Sequence, residues 1–407
     1  MKADCMILGG GASGLAAAAS LAKSGLHVAL IEKGDRVGRK IMAAGNGRCN
    51  LSNHDMDAAY YGKAAPFVKD VYAVTPPEEV IRFFDELGLM TAEEDGRIYP
   101  RTMMASSVLD VLRGGLDGVD VITGEEALSL TPSRRGGWSV QLSSGEGVFA
   151  PAVLCAMGGS ASPHLGTDGA GTRMLEALGH SITPLYPALV QLRCDHPALK
   201  SLKGVRLQAA LTLLIDGKPA AKETGELLFA DYGVSGVCVF QLSRFAASAL
   251  DEKRRVTLSV NLLPEIGRDA AAWLDARIAA LPGRDAQSLF TGVFPRLLSQ
   301  AILREAGVSP ETSCDRMTTK AREALISAII SFPLRVTGTQ GFKNAQVTSG
   351  GVALDEVDPK TMASRLYGGL YLAGELLDVD GPCGGYNLHF AFASGITAAK
   401  AIKAQLL

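Results

Sequence analysis

The residues best suited to chemistry in this sequence stand near its start. Gly9-Gly10-Gly11-Ala12-Ser13-Gly14 fits the spacing G-x-G-x-x-G. A bound pyrophosphate explains each position. Gly9 permits a tight turn, Gly11 lets backbone approach phosphate with no Cβ in the way, and Gly14 lets a following helix pack closely on a sheet. Ala12 and Ser13 open that helix, so its first N–H groups and its positive dipole end point at the phosphates. Glu32 stands 18 positions after Gly14, where an acidic side chain meets a ribose hydroxyl pair and disfavours a 2′-phosphate. Lys33 follows it.

Three more clusters have the same character. Between Arg39 and Asn50, Arg39, Lys40 and Arg48 supply cations, Asn46 and Asn50 supply amides, Gly47 a turn and Cys49 a thiol. Cations suit a diphosphate and amides suit the polar edge of a ring. Ala156 and Gly158 end a buried apolar run, where the chain can pass the dinucleotide again. Near the C-terminus come Gly374-Glu375 and then Pro382-Cys383-Gly384-Gly385-Tyr386-Asn387, followed at once by a helix. That helix start offers free N–H groups and a positive dipole end. Such a site suits the N1/O2 edge of a flavin, where negative charge gathers on reduction. A single NAD site needs no second cradle so far away, so the pattern reads as FAD.

Beyond the cofactor, His389 and Tyr386 are the possible proton donors, each also readable as a packed helix residue. Cys49 and Cys383 are a conceivable redox pair, although they share no C-x-x-C geometry. Arg335 and Lys343 are placed to meet an anionic substrate or to lie on the surface. His54, His164 and His196 have no metal-ligand spacing, and no metal is expected.

These residues need elements to position them. Residues 4–8 read as a strand, 13–25 as a helix capped by Gly25, and 27–31 as a second strand, together a βαβ unit on a parallel sheet. Further helices are expected over 77–90 and 168–180. Strands are expected over 119–130, 138–149, 151–157 and 369–372, and a closing helix over 386–404. The middle differs, with alternating antiparallel strands over 186–262 and periodic Leu and Ala over 264–330. The fold class is therefore α/β, a Rossmann-like FAD-binding domain with a parallel sheet. It is formed by residues 1–186 and 345–407 and interrupted by an inserted substrate domain, 187–344. The insert is β-rich over about 187–263 and 331–344 and helical over about 264–330.

Bulk properties agree. The chain has 407 residues, 47% hydrophobic and 20% charged, a globular composition too long for one ordinary core. Its net charge of −2 gives no basic excess for nucleic acid. Seven dispersed cysteines suit a reducing cytosol, so a cytoplasmic location is expected. No apolar run reaches the ~18 residues of a membrane span.

In combination, the motifs resemble the YhiN/BaiN-like flavoproteins of the two-dinucleotide-binding-domain superfamily. The matching residues are Gly9 to Gly14, Glu32-Lys33, Gly38-Arg39-Lys40 to Asn50, and Gly158-Gly159 with Gly166 to Gly171. Others are Gly225 to Phe229 with Gly233 and Ser235-Gly236, Thr348 to Val352, and Gly374 to Asp378 through Gly384 to Asn387. The resemblance covers nearly the whole chain. It implies an FAD domain interrupted by an insert with a β-barrel-like part and a helical part. It also implies FAD contacts at Ser13, Glu32, Lys33, Lys40, Asn50, Gly374, Glu375, Gly385 and Asn387. Cys238 and His389 depart from it, where Pro and Gln are expected. One branch of the family is linked to reduction of unsaturated oxo-bile acids, and others are named aminoacetone oxidase-like.

The resulting expectation is an FAD-dependent oxidoreductase passing hydride through flavin N5. NADH or NADPH would bind transiently, since no second G-x-G-x-x-G is present, and the substrate would be a small unsaturated or oxo organic molecule. The alternatives are a flavin oxidase or dehydrogenase of an amine or hydroxy acid, and a non-catalytic flavin-bound sensor or nucleic-acid-associated protein.

Overall fold

The structure is a computed structural model describing residues 2–134, 136–267 and 269–407. Strand β1 (Cys5–Leu8) is buried along its whole length and pairs in parallel on both sides, which explains its continuous apolar run. Strands β2 (Val28–Glu32), β3 (Val119–Thr123), β4 (Ala152–Cys155) and β5 (Leu370–Leu372) complete a five-stranded parallel sheet in the order β5-β4-β1-β2-β3. Helix α1 (Ala12–Leu21) follows β1 directly. It stops short of the expected Gly25 because Ser24 Oγ donates to Leu21 O at 2.6 Å, and Gly25 lies beyond in a turn at φ +84°.

Helix α2 (Arg39–Ala43) follows β2, α3 (Ala170–Ala177) follows β4 and α4 (Tyr386–Leu406) closes the chain. The first and last of the four helices touch backbone to backbone, since a Cβ on Gly395 would stand 2.2 Å from Ser13 O. This contact brings the two ends of the sequence together at the carboxyl end of the sheet, where α/β folds bind ligands. Two small antiparallel sheets accompany the parallel one. In one, Asp95-Gly96 makes the turn between Thr91–Glu94 and Arg97–Pro100.

The described residues divide into two compact units, one formed by the chain up to Tyr186 with Gln346–Leu407, the other by Pro187–Ala345. The second unit is a closed six-stranded barrel with antiparallel pairing throughout. It carries helices Ala270–Ala279, Arg296–Glu305 and Thr319–Ile330. One part of the expected β-rich stretch is instead helical, Val237–Asp251. Its buried positions Cys238, Leu242, Ala246 and Ala249 recur at helical spacing, and this outweighs the strand preference of Val237 and Val239.

Candidate functional site

The glycines of the first turn do three different jobs. Gly9 has φ +106°, and a Cβ there would lie 2.5 Å from Ala156 O, just past the end of the neighbouring strand β4. A Cβ on Gly14 would lie 1.9 Å from Gly9 O, so this glycine lets the helix sit on its own turn. A Cβ on Gly11, which caps α1, would meet nothing within 4 Å. The space in front of the helix is therefore open. Glu32 ends β2 with Oε2 accepting from Gly10 N at 2.9 Å and Oε1 accepting from Gly34 N at 2.7 Å.

Beside this turn is an open cleft, lined by Leu8, Gly9, Ile31, Glu32, Met157 and two walls. Glu125, Glu126 and Ala127 form one wall, and Gly166, Asp168 and Ala170 the other. Gly158, at φ +73°, packs on Thr167.

The C-terminal loop meets the same region. A Cβ on Gly374 would stand 2.5 Å from Ser13 Oγ, and Gly374 N donates to Ser394 Oγ at 3.0 Å. Lys40 Nζ lies 2.5 Å from Glu375 Oε2. Glu375 Oε1 accepts from Thr348 N at 2.7 Å, and Thr348 Oγ1 accepts from Ser160 N at 2.8 Å and Ala161 N at 3.0 Å. Four segments distant in sequence are thus fixed around one ion pair.

Other expected contact residues face elsewhere. With its amide oriented to donate, Asn50 Nδ2 reaches Ser52 O at 2.7 Å and Ile98 O at 3.2 Å, while its Oδ1 accepts from Gly385 N at 3.1 Å. Asn387 Oδ1 accepts from Gly381 N at 2.8 Å, and its Nδ2 donates to Gly381 O at 2.9 Å and Pro382 O at 3.3 Å. Both amides brace main chain. Arg48 donates to Glu94 at 3.1 Å and covers the Tyr99 ring at 4.3 Å, pointing at a hairpin and not at a diphosphate. Asn46 and Gly47 are exposed. Arg39 Nη2 donates to His164 O at 3.1 Å. Arg335 pairs with Asp195 at 2.6 Å, and Lys343 is exposed.

His389 is wholly buried in α4, with Nδ1 2.9 Å from Ser52 Oγ and Nε2 lacking a hydrogen-bond partner. Burial pushes its pKa down to about 3. Such an imidazole is enclosed and neutral at ordinary pH. Tyr386 Oη donates to Asp55 O at 3.1 Å, and its ring lies 4.7 Å from that of half-exposed Tyr60. Burial, then the charge of neighbouring Tyr60, raises its pKa above the ordinary phenol value. No disulfide joins any of the seven cysteines. Burial pushes the Cys49 thiol up to about 12 and raises that of Cys383, so neither is held as the reactive thiolate.

This arrangement fits FAD. The bare approach to Gly11 leaves room for phosphate at the helix start, and the cleft at Glu32 continues from it over the carboxyl ends of β1 and β2. Gly374, Glu375 and Lys40 continue the site toward α4. The model of the HI0933-like protein Rossmann domain matches residues 3–401. The chain belongs to the HI0933-like family. The YhiN/BaiN-like resemblance carried by its motifs denotes that same family, and as a member the protein is an FAD-dependent oxidoreductase.

Two relatives match this HI0933-like protein over almost its full length. It is 39% identical over 402 residues to the 3-dehydro-bile acid Δ4,6-reductase of Clostridium scindens, covering 97% of this chain and 98% of the relative. It is 29% identical over 401 residues to the ribosomal RNA dihydrouridine synthase of Escherichia coli, covering 98% and 97%. Among solved structures, 3-ketosteroid Δ1-dehydrogenase from Sterolibacterium denitrificans superposes with a TM-score of 0.52 at 14% identity, covering 99% of this chain and 100% of that one. This likeness is one of fold. No helix of the described residues is long and apolar enough to cross a membrane.

In this HI0933-like protein, sequence reasoning missed the role of Thr348 and the wall at Glu125–Ala127. Thr348 works through contacts 188 positions away, which no local spacing reveals. Ser52 and Asn53, which hold His389 and Gly384 at 2.9 Å each, belong to a three-stranded sheet whose Asp95-Gly96 turn was its available signal.

Proposed function

We propose that this protein reduces a carbon–carbon double bond conjugated to a carbonyl, on a small organic molecule, with NADH or NADPH as the electron source. The observation that carries this reading is the 39% identity, over 97% of the chain, to a bile acid Δ4,6-reductase. A 3-dehydro steroid with such double bonds is a conjugated ketone. The reaction adds hydride to the carbon remote from the carbonyl and a proton to the carbon beside it.

FAD, when bound, supplies the two-electron carrier between nicotinamide and carbon. The chain's own task is to position and protonate. Asn387 braces the loop Gly381–Pro382, and Asn50 and Asn53 hold Gly385 and Gly384. The start of α4 is therefore rigid before any ligand arrives, and its dipole favours negative charge nearby. Tyr386, at that helix start, keeps its proton across the ordinary pH range. Its place at that helix start, and not its raised pKa, is what makes it the group proposed to deliver the second hydrogen.

A second reading rests on the Escherichia coli relative. Uracil also carries a double bond conjugated to a carbonyl, so the same bond chemistry would serve RNA. The deciding experiment supplies NADH or NADPH to the FAD-loaded protein without oxygen. Nucleotide oxidation is then followed with a 3-oxo-Δ4 steroid acid, and with ribosomal RNA lacking dihydrouridine. Turnover with the steroid supports the proposal. Turnover with RNA alone supports the second reading. In a separate assay with oxygen present and no nicotinamide nucleotide, oxidation of an amine or hydroxy acid with release of peroxide would overturn both.

A further inference from the structure

Lys33 lies across the mouth of the nucleotide cleft. Its Nζ is 3.0 Å from Asp168 Oδ2 on one wall and 3.9 Å from Glu126 Oε1 on the other. Asp168 is itself held in place. Its Oδ1 accepts from Ala170 N at 3.0 Å at the start of α3, and its backbone oxygen accepts from Arg173 Nη1 at 2.8 Å. The loop that carries it is braced by Thr167 Oγ1, which donates to Ala161 O at 3.3 Å within the loop and to Gly159 O at 2.8 Å at its base. It changes direction at Ser162, Gly166 and Gly169, all with positive φ. Arg39 makes a second tie to the same loop, donating to His164 O at 3.1 Å. The loop is pinned at its start, where Thr348 Oγ1 accepts from Ser160 N and Ala161 N, and held farther along by the two cations, so it can swing about its pinned start when the cation ties break.

We propose that Lys33 and Asp168 form a clasp that fastens the loop over residues 160–169 across the cleft and slows release of the adenosine end of the cofactor. They are positioning residues, with no part in hydride or proton transfer. The inference rests on FAD occupying this cleft.

The clasp makes a demand that a simple Lys33–cofactor contact does not. If Lys33 held the cofactor directly, removing Asp168 would free it to do so better. If the pair is the clasp, losing either partner opens it. The pair is partly exposed, with 29% and 43% of the two side chains accessible, so its effect is modest and sensitive to salt.

The test follows FAD release from the loaded protein by the rise in flavin fluorescence on dilution, at low and high salt. Wild type should release FAD faster as salt rises. K33M and D168N should each release it about three- to fivefold faster at low salt, with little further response to salt. The double variant should match the single ones, and K33R should stay near wild type. Salt-independent release by wild type overturns the clasp, and that arm needs no variant. Wild-type or slower release by D168N, or additive effects in the double variant, also overturn it. A wild-type chain that takes up no FAD overturns both the clasp and the cofactor assignment beneath it.

Discussion

Lys40 and Glu375 are 335 positions apart in the sequence and 2.5 Å apart in space, Nζ to Oε2. The pair joins helix α2, which follows β2, to the segment after β5. Glu375 also accepts from Thr348 N, so the carboxylate organises three segments. Both side chains are mostly covered, at 26% and 18% exposure. Lys40→Met leaves the carboxylate partly buried and unpaired. The expected outcome is a loss of about 1–2 kcal/mol in urea unfolding, together with lower FAD occupancy after purification. Unchanged stability and occupancy would show that the pair holds nothing together.

Two glycines of one motif should respond in opposite ways. A Cβ on Gly11 meets open space, and one on Gly14 meets Gly9 O at 1.9 Å. Gly11→Ala should melt like wild type without cofactor, yet bind FAD at least tenfold more weakly, because the new methyl occupies the phosphate approach. Gly14→Ala should lose about 1–3 kcal/mol of stability, the usual penalty for overpacking. Melting of the apoprotein with a fluorescence titration of FAD separates the two.

His389 should leave a mark on stability against pH. Burial lowers its folded pKa from 6.5 to about 3. Between those values the unfolded chain binds a proton that the folded chain refuses. The stability associated with neutral His389 is therefore complete above pH 6.5 and is lost as pH falls toward 3, at up to about 1.4 kcal/mol per pH unit. Urea midpoints for wild type and His389→Gln should diverge from pH 7 to pH 5, with the shallower slope in the variant. Parallel slopes would mean that His389 protonates in the folded state.

Tyr386 is assigned to the proton and not to the hydride. Tyr386→Phe should leave reduction of the bound flavin by NADH or NADPH at the wild-type rate. It should slow the return of electrons to substrate by about 100-fold, the range of a lost general acid. Stopped-flow measurement of the two half-reactions tests this. Slowing of the first half alone would place Tyr386 at the nicotinamide.

The two cysteines flanking the site should be inert. Cys49 is fully buried with its thiol pushed up to about 12. Brief iodoacetamide treatment of the native protein at pH 8, read by mass spectrometry, should leave Cys49 unmodified. Cys49→Ser and Cys383→Ser should retain flavin reduction. Rapid alkylation of Cys49, or loss of reduction in both variants, would revive a dithiol role.

What could be read in advance was whatever the backbone itself demands. Gly9, Gly11 and Gly14 are glycines for reasons local to one turn, and the apolar runs of β1 and β4 are continuous because both faces are buried. The pairing of the two chain ends followed from finding a second glycine loop next to a helix start. What local spacing could not carry was the direction of individual side chains. Asn50, Asn387 and Arg48 sit in segments the glycines and cations marked, but their hydrogen-bond partners, some far away in sequence, set where they point. Arg48 turns to Glu94 because a hairpin stands beside it, and that hairpin was signalled only by Asp95-Gly96. Helix Val237–Asp251 was hidden by residues that also favour strands.

In the proposed reaction, electrons pass from a nicotinamide nucleotide to a conjugated carbon–carbon double bond. The most direct measurement is a single turnover without oxygen. The FAD-loaded protein is bleached with one equivalent of NADH or NADPH, then mixed with a 3-oxo-Δ4 steroid acid while the flavin absorbance is followed. Full return of the absorbance, with one double bond lost per flavin, is the predicted result. Failure of either nucleotide to bleach the flavin, or a reduced flavin that persists in the presence of the steroid, would contradict it.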